Sequence, residues 1–298
     1  MTRPLRSAHP SAGGFVDLHC HSTASDGTLA PAAVVDLAKQ QGLTALALTD
    51  HDTVAGVPEA AKRAADIGLD FLPGIEISAS FPHPGTLHLL GYGIDPLSPA
   101  LAALSTELIG GRDARNPKII SRLQELGLKI TMEEVEAAAG GGVIGRPHIA
   151  GVLLKKGYVT SIKQAFNVYL APGGSAFFDK ERLDPADAIR RIRDSGGVTV
   201  LAHPSQLRTE NAAELDRVVK SLVDQGLSGI ETLHSDHTDA QIAGYEALAK
   251  KYDLLQTGGS DFHGGTKPTI TLGKAGKRRV PRELFDRLIA ELAADGRR

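Results

Sequence analysis

Tryptophan is absent from the 298 residues, cysteine occurs once, as Cys20, and aromatic residues together make up 4%. A single thiol excludes an intramolecular disulfide framework and suits a reducing compartment, so a cytoplasmic location is expected and Cys20 reads as a small strand filler. No apolar run approaches the roughly 18 residues that a membrane-spanning helix requires. The opening MTRPLRSAHPSAGG lacks the apolar stretch of a secretory signal and reads as a flexible tail over residues 1–13, with His9 exposed. Nor is there an excess of positive charge, since 33 Lys and Arg stand against 35 Asp and Glu for a net charge of −2. With so few aromatics, that balance argues against duplex nucleic acid as a partner. A small anionic substrate, or the end of a short oligonucleotide, stays open because bound cations would reverse the local field.

The length allows one large α/β domain, or one with an insertion. Most of the chain follows a strand-then-helix rhythm. A strand over Phe15 to Cys20 precedes PAAVVDLAKQQG, which carries Pro31 at a helix start and Gly42 as its stop. LTALALTDHD is a continuous apolar strand of the kind buried on both faces of a parallel sheet. A helix from Pro58 to Ile67 leads into DFLPGIEIS, with TLHLLGYGI as a fourth strand. The rhythm resumes with a helix over Asp184 to Asp194, strand GVTVLAHP, helix Ala213 to Gln225, strand LSGIETLH, helix Asp239 to Tyr252 and strand LLQTGGSDFH. Between Leu97 and Lys180 it breaks into segments that read as short helices. The expectation is an α/β fold, a distorted (β/α)7 barrel over residues 14–97 and 181–298, with a small helical insertion over residues 98–180 capping the substrate site. An open doubly wound sheet is the alternative, weakened because no G-x-G-x-x-G follows the first strand.

In parallel α/β folds, ligands gather at the carboxyl ends of the strands. Here His19 and His21 alternate along one strand and share a face, roughly 6.5 Å apart at their Cα atoms, and Asp26 follows in the loop. The second strand ends with Asp50, His51 and Asp52, the third carries Glu76 and the fourth His88. The fifth ends at His203, the sixth at Glu231 and His234, and the seventh at Asp261 and His263. Any one of these could be a helix cap or a hydrogen-bonded loop residue. Together they would cost several kcal/mol per buried charge unless cations neutralise them. A multinuclear metal site follows. Mixed imidazole and carboxylate ligands without thiolate suit Mn, Fe or Zn, and nine ligands suffice for three ions once a carboxylate bridges. Such clusters activate water and neutralise charge on a phosphoryl group, so hydrolysis is the expected chemistry.

DLHCHSTASDG, TDHDT, PGIE, LHLLGYG, LAHP and GGSDFHG, in this order, resemble the motifs of the PHP (polymerase and histidinol phosphatase) superfamily. The resemblance runs from Phe15 to His263, interrupted by the insertion. It implies a distorted (β/α)7 barrel with three divalent metal ions, manganese foremost and iron or zinc as alternatives. Position by position, it implies His19, His21, Asp26, His51, Glu76, His88, His203, Asp261 and His263 as ligands, with Glu76 bridging. The insertion and its GRPHIA segment resemble the branch acting on nucleoside 3′,5′-bisphosphates and on the 5′ ends of short RNA. Arg146 and His148, just before an expected helix start, would clamp a phosphate. Arg112, Arg115 and Asn116 match another basic patch of that branch, although Pro117 directly afterwards argues against their helical presentation. A solvated helix face is the plainer reading of these arginines.

Catalytic roles are expected of His203, His234 and Asp50; His234 would donate a proton to the leaving alcohol or else hydrogen-bond a loop. His237 is given no role, and His83, in the FPHPG turn, reads as loop surface. The expected activity is that of a metal-dependent phosphoesterase acting on a small nucleotide or short oligonucleotide, with no membrane partner. A histidinol-phosphate-type phosphatase is one alternative, although no acidic contact for its substrate amine can be located. A non-catalytic metal-binding module is the other, although such modules tend to lose ligands that this chain keeps.

Overall fold

A computed structural model of the chain describes residues 13–82, 84–180 and 182–295. The expected tail up to residue 12, His9 and His83 lie outside the described residues. Among those described, eight strands form one sheet: β1 (Phe15–Asp17), β2 (Leu43–Leu48), β3 (Asp70–Ala79), β4 (Leu87–Tyr92), β5 (Val198–Leu201), β6 (Gly229–Leu233), β7 (Leu255–Gly258) and β8 (Val280–Pro281). They lie in the order β7-β6-β5-β4-β3-β2-β1-β8. The sheet closes on itself beyond the regular ends of β1 and β7. Leu18 N–H donates to Gly258 O at 3.2 Å, Asp261 N–H to His19 O at 2.8 Å and His21 N–H to Phe262 O at 2.9 Å. Seven strands thus make a nearly closed barrel, and β8 is added antiparallel beside β1.

The helices are α1 (Pro31–Gln40), α2 (Val57–Ile67), α3 (Pro99–Glu125), α4 (Met132–Ala139), α5 (Arg146–Lys155), α6 (Ile162–Ala165), α7 (Pro185–Asp194), α8 (Ala212–Asp224), α9 (Asp239–Lys251) and α10 (Arg282–Asp295). Their termini follow local chemistry. Proline fills the first turns of α1, α2 and α7, where its missing N–H leaves no bond unmade. Thr131 and Glu134 form a capping box on α4, and Thr238 and Gln241 on α9. Val34, Val35 and Ala38 of α1 and Ala60 and Ala64 of α2 pack with Leu46 and Leu48 of β2. None of the described helices is long and apolar enough to cross a membrane.

Three expectations need correction. As expected, β4 follows β3 with no helix between them, but β4 runs antiparallel to both β3 and β5. An apolar strand pattern records burial but not direction. His88 consequently sits near the amino end of β4, opposite Ser78 of β3, and still reaches the mouth formed by the carboxyl ends of the other strands. The insertion is not made only of short helices: α3 runs for 27 residues straight through Pro117. Pro117 cannot donate to the carbonyl four residues earlier, a defect of about 3 kcal/mol in a helix interior. Packing on both sides of it holds the helix together. Leu101, Leu104 and Leu108 join the barrel's apolar cluster, while Ile119, Ile120 and Leu123 join a separate cluster with Val135, Ile149, Leu153 and Leu170. Finally, β8 and α10 extend the fold beyond the seventh expected unit, and α10 packs Phe285, Leu288 and Leu292 against Val16, Leu90 and Val200.

Candidate metal centre

The polar residues of the mouth sit on a hydrogen-bonded ladder that outlasts the regular strands. Past β1, the His19 carbonyl accepts from Asp261 N–H and the His21 N–H donates to Phe262 O. Past β2, Glu76 N–H donates to Asp50 O at 3.1 Å and Asp52 N–H to Glu76 O at 2.8 Å, so the segment carrying His51 is fixed against β3. One buried carboxylate ties the first and last parts together: Asp17 accepts from the N–H groups of His19 (3.1 Å), Ser260 (3.0 Å) and Gly273 (2.6 Å). Gly259 permits the close crossing, since a Cβ there would stand 2.3 Å from His19 Cβ. Asp52, His203 and Asp261 have positive φ, of 59°, 24° and 56°, a conformation that costs a non-glycine residue about 1–3 kcal/mol and gathers at functional sites.

On this frame His19, His21, Asp26, His51, Glu76, His88, His203, Asp261 and His263 converge into overlapping groups whose ligand atoms lie within 4.8 Å of one another. Many of those atoms are buried with no hydrogen-bond partner, among them His19 Nε2, both ring nitrogens of His21, His51 Nδ1 and Glu76 Oε2. Buried polar atoms are ordinarily satisfied. The spacing shows what would satisfy them. Glu76 Oε2 is 3.4 Å from His19 Nε2, 3.3 Å from His21 Nε2 and 3.0 Å from His51 Nδ1, and His263 Nε2 is 3.3 Å from Asp26 Oδ1. Donor atoms about 2.0–2.2 Å from a shared ion stand roughly 3.0–3.5 Å from each other. The residues therefore fit divalent cations.

Hydrogen bonds to the far ring nitrogens sort the imidazoles by tautomer. His19 Nδ1–H donates to Glu231 Oε1 at 3.0 Å and His263 Nδ1–H to the Asp261 carbonyl at 2.9 Å, so both turn an Nε2 lone pair to the centre. His234 is the reverse. Its Nδ1 accepts from Asp236 N–H at 3.1 Å, which puts the proton on Nε2, 3.5 Å from Asp261 Oδ2. In this network the His234 Nε2–H is a donor aimed at Asp261, although His19, Glu231 and His234 also bring potential ligand atoms within 4.8 Å of one another. The field is consistent with cation binding. Burial opposes ionisation of Glu76, yet His51, His88 and His19 hold its carboxyl well below the ordinary range; His263 and His51 do the same for Asp26. Burial, aided by like charge from His21 and Lys267, lowers His263 to about 4, whereas Asp261 and Glu76, against the effect of burial, raise His21 to about 9.

A model of the PHP domain matches residues 17–293. The chain belongs to the PHP family. A 5′-3′ exoribonuclease of Haemophilus influenzae is 38% identical over 250 residues, which cover 83% of this chain and 89% of that one. A phosphoribosyl 1,2-cyclic phosphate 1,2-diphosphodiesterase of Eggerthella lenta is 36% identical over 251 residues, 83% and 94% of the two chains. A 3′,5′-nucleoside bisphosphate phosphatase of Chromobacterium violaceum is 33% identical over 256 residues, 83% and 87%. Among solved structures, a Bifidobacterium adolescentis protein described as a candidate metal-dependent phosphoesterase superposes with a TM-score of 0.84 at 30% identity, covering 95% of this chain and 97% of that one.

Above this PHP centre, the helical segment brings in a group of cations. Arg112 donates from Nε at 2.9 Å and Nη2 at 2.5 Å to Asp52 Oδ2, which also accepts from Lys180 Nζ at 2.5 Å. Arg115 donates to the neutral amide oxygen of Asn116 and Arg146 to the Leu170 carbonyl; Asn116 and Arg115 are buried on α3 despite Pro117. Burial, with Arg146, Arg112 and Arg182 nearby, pushes Arg115 down to about 9, and burial beside Arg182 and Arg112 takes Arg146 to about 10. His148 Nδ1 accepts from Gly145 N–H at 3.0 Å, leaving an Nε2–H as its free donor. Of the residues expected as metal ligands or catalytic groups, Asp50 alone stands apart from the converging groups. Its carboxylate is occupied by Ser22 N–H (2.8 Å), Ser22 Oγ (2.7 Å) and Ser25 Oγ (2.6 Å), and it shapes the turn after β1. His237 donates from Nδ1 to Thr232 O.

The mouth itself is a cavity of about 210 Å³ lined by Asp26, His51, Glu76, His88, His203, Asp261 and His263, with Pro147, Ile162, Phe166, Gln206, Thr266 and Lys267 around them. Sequence reading named Glu231 only among the polar strand ends, and gave no role to Asp17, Lys180 or Lys267. Asp17 did carry a signal, since alternation along the strand places residues 17, 19 and 21 on one face. Lys180 and Lys267 carried none.

Proposed function

We propose that the chain is a metal-dependent phosphoesterase that hydrolyses phosphate esters of nucleotides, either nucleoside 3′,5′-bisphosphates or the 5′ ends of short oligoribonucleotides. The observation that carries this reading is the convergence of nine imidazole and carboxylate side chains, five of which have buried atoms without a hydrogen-bond partner, beneath a helical segment rich in buried cations. The bisphosphate phosphatase and exoribonuclease activities named for two of the relatives support it. Three divalent ions, manganese foremost, would be held by His19, His21, Asp26, His51, Glu76, His88, His203, Asp261 and His263, with Glu76 shared between them. When bound, such ions activate water for attack on phosphorus and neutralise charge developing on the phosphoryl oxygens.

The chain's own groups supply the rest. Glu231 fixes the His19 tautomer through Nδ1 and orients His203 by accepting its N–H at 2.7 Å. The His234 Nε2–H holds Asp261 or a substrate oxygen as a hydrogen-bond donor. Residues 98–180 act as the substrate cap, in which Arg112, Arg115, Arg146 and His148 form the field for a second phosphate. Lys180 belongs with them. The buried lone cysteine suits a cytoplasmic enzyme.

Release of phosphate from adenosine 3′,5′-bisphosphate, and of nucleotides from a short 5′-phosphorylated RNA, is the direct test in manganese. Turnover of either is expected. Metal-replete protein that leaves both untouched from neutral to alkaline pH would refute the substrate assignment.

A further inference from the structure

Seven of the residues lining the cavity form its polar floor, yet one wall is apolar. Pro147, Ile162 and Phe166 all come from the helical segment, and Gln206, Thr266 and Lys267 complete the lining. Ile162 and Phe166 are only partly buried, although both also touch the segment's own apolar cluster. A pocket serving only a sugar phosphate has no use for that surface, because exposed apolar area beside so polar a floor is unfavourable until something covers it. Phe166 also opens a π-helical turn, Phe166–Leu170, in which Ala171 N–H donates to Phe166 O at 2.8 Å. Such turns are rare and recur at functional sites.

We infer that Phe166, flanked by Ile162 and Pro147, is the surface on which the substrate's nucleobase stacks while the phosphate lies on the polar floor. This deepens the nucleotide reading and rests on it. An aromatic face accepts any base without reading its edge. The mouth therefore selects base-bearing phosphate esters over base-free sugar phosphates, and does so with little preference among the four bases.

The test compares the wild type with Phe166→Leu, which keeps apolar volume in the cap, and Phe166→Tyr, which keeps the ring. Substrates are adenosine 3′,5′-bisphosphate and the base-free phosphoribosyl 1,2-cyclic phosphate. A second readout is fluorescence quenching of 2-aminopurine riboside 5′-monophosphate on binding, which a chain without tryptophan leaves free of competing emission. Phe166→Leu is expected to raise KM for the nucleotide about 5- to 150-fold, to leave kcat within about threefold, and to abolish the quenching. Phe166→Tyr should behave as wild type. Equal losses on both substrates, or quenching that survives Phe166→Leu, would overturn the inference. Wild-type turnover of the base-free ester alone would overturn the nucleotide reading, and the stacking inference with it, before any variant is compared.

Discussion

Asp52→Asn removes the single carboxylate that Arg112 and Lys180 share. The three side chains are 0%, 9% and 3% exposed, and the two cations enter from opposite ends of the helical segment, one from α3 and one from the return to the barrel. Breaking a buried ion pair by deleting one partner costs about 3–5 kcal/mol. Burial already takes Lys180 down to about 7 against the pull of Asp52, so without Asp52 it sheds its proton and Arg112 alone is left as an uncompensated charge; the lower end, about 3 kcal/mol, is expected. At about 2 °C per kcal/mol for a chain of this size, the melting temperature should fall by about 6 °C. Lys180→Met leaves the two-bond contact between Arg112 and Asp52 in place and should cost about 1–2 kcal/mol. The double variant should lose less than the sum of the singles, with a coupling of about 1–3 kcal/mol. Urea midpoints at matched metal content measure all four corners of this cycle. The pH dependence has a definite sign. Burial opposes ionisation of Asp52, but Lys180 and Arg112 hold its carboxyl far below the ordinary 3.8. Its contribution is present above that value and is lost as pH falls through the depressed one, so the gap between wild type and Asp52→Asn should narrow in acid. A variant within about 1 kcal/mol of wild type, or a strictly additive cycle, would refute this account.

Glu231→Gln should weaken metal binding about 10- to 100-fold, because an amide cannot accept from both His19 Nδ1–H and His203 N–H; titration with manganese against a competing chelator measures it. Gly259→Ala should strip metal and lower stability together, since its Cβ would meet the His19 backbone nitrogen at 2.4 Å. Elemental analysis of the purified variant checks that outcome. His234→Gln, which keeps a donor, should retain the wild-type metal content, whereas His19→Ala should not; loss of metal in both would make His234 a ligand. Asp261→Asn should lower turnover by about 10²-fold or more, measured as phosphate release at saturating metal.

What the sequence disclosed and what it withheld have separate causes. The residues that converge at the mouth were legible because each lies on, or in the loop beyond, a strand whose apolar pattern is local. His19 and His21 even declare a common face by their spacing. Direction was not legible, so β4 could be placed but not recognised as antiparallel. Helix continuity through Pro117 depends on Leu108 and Ile119 packing into two different clusters, which no local window contains. Asp50 misled for a related reason: TDHD offers three titratable side chains, and only their partners tell them apart. His51 turns to Glu76, Asp52 to Lys180 and Asp50 to Ser22. The pairing of Asp52 with Lys180 spans 128 positions, beyond anything a motif records.

The Asp17 carboxylate has a bearing on biosynthesis. It joins the first strand to Ser260 and Gly273, 243 and 256 positions away. At about 5–20 residues per second, a ribosome needs roughly 10–50 s to deliver those partners after Asp17 has emerged. Throughout that interval His19 and His21 lack both Asp261 and the ladder that aligns them. Until then these two imidazoles of the candidate centre stand without their partners, and the centre can form only when nearly the entire chain is out.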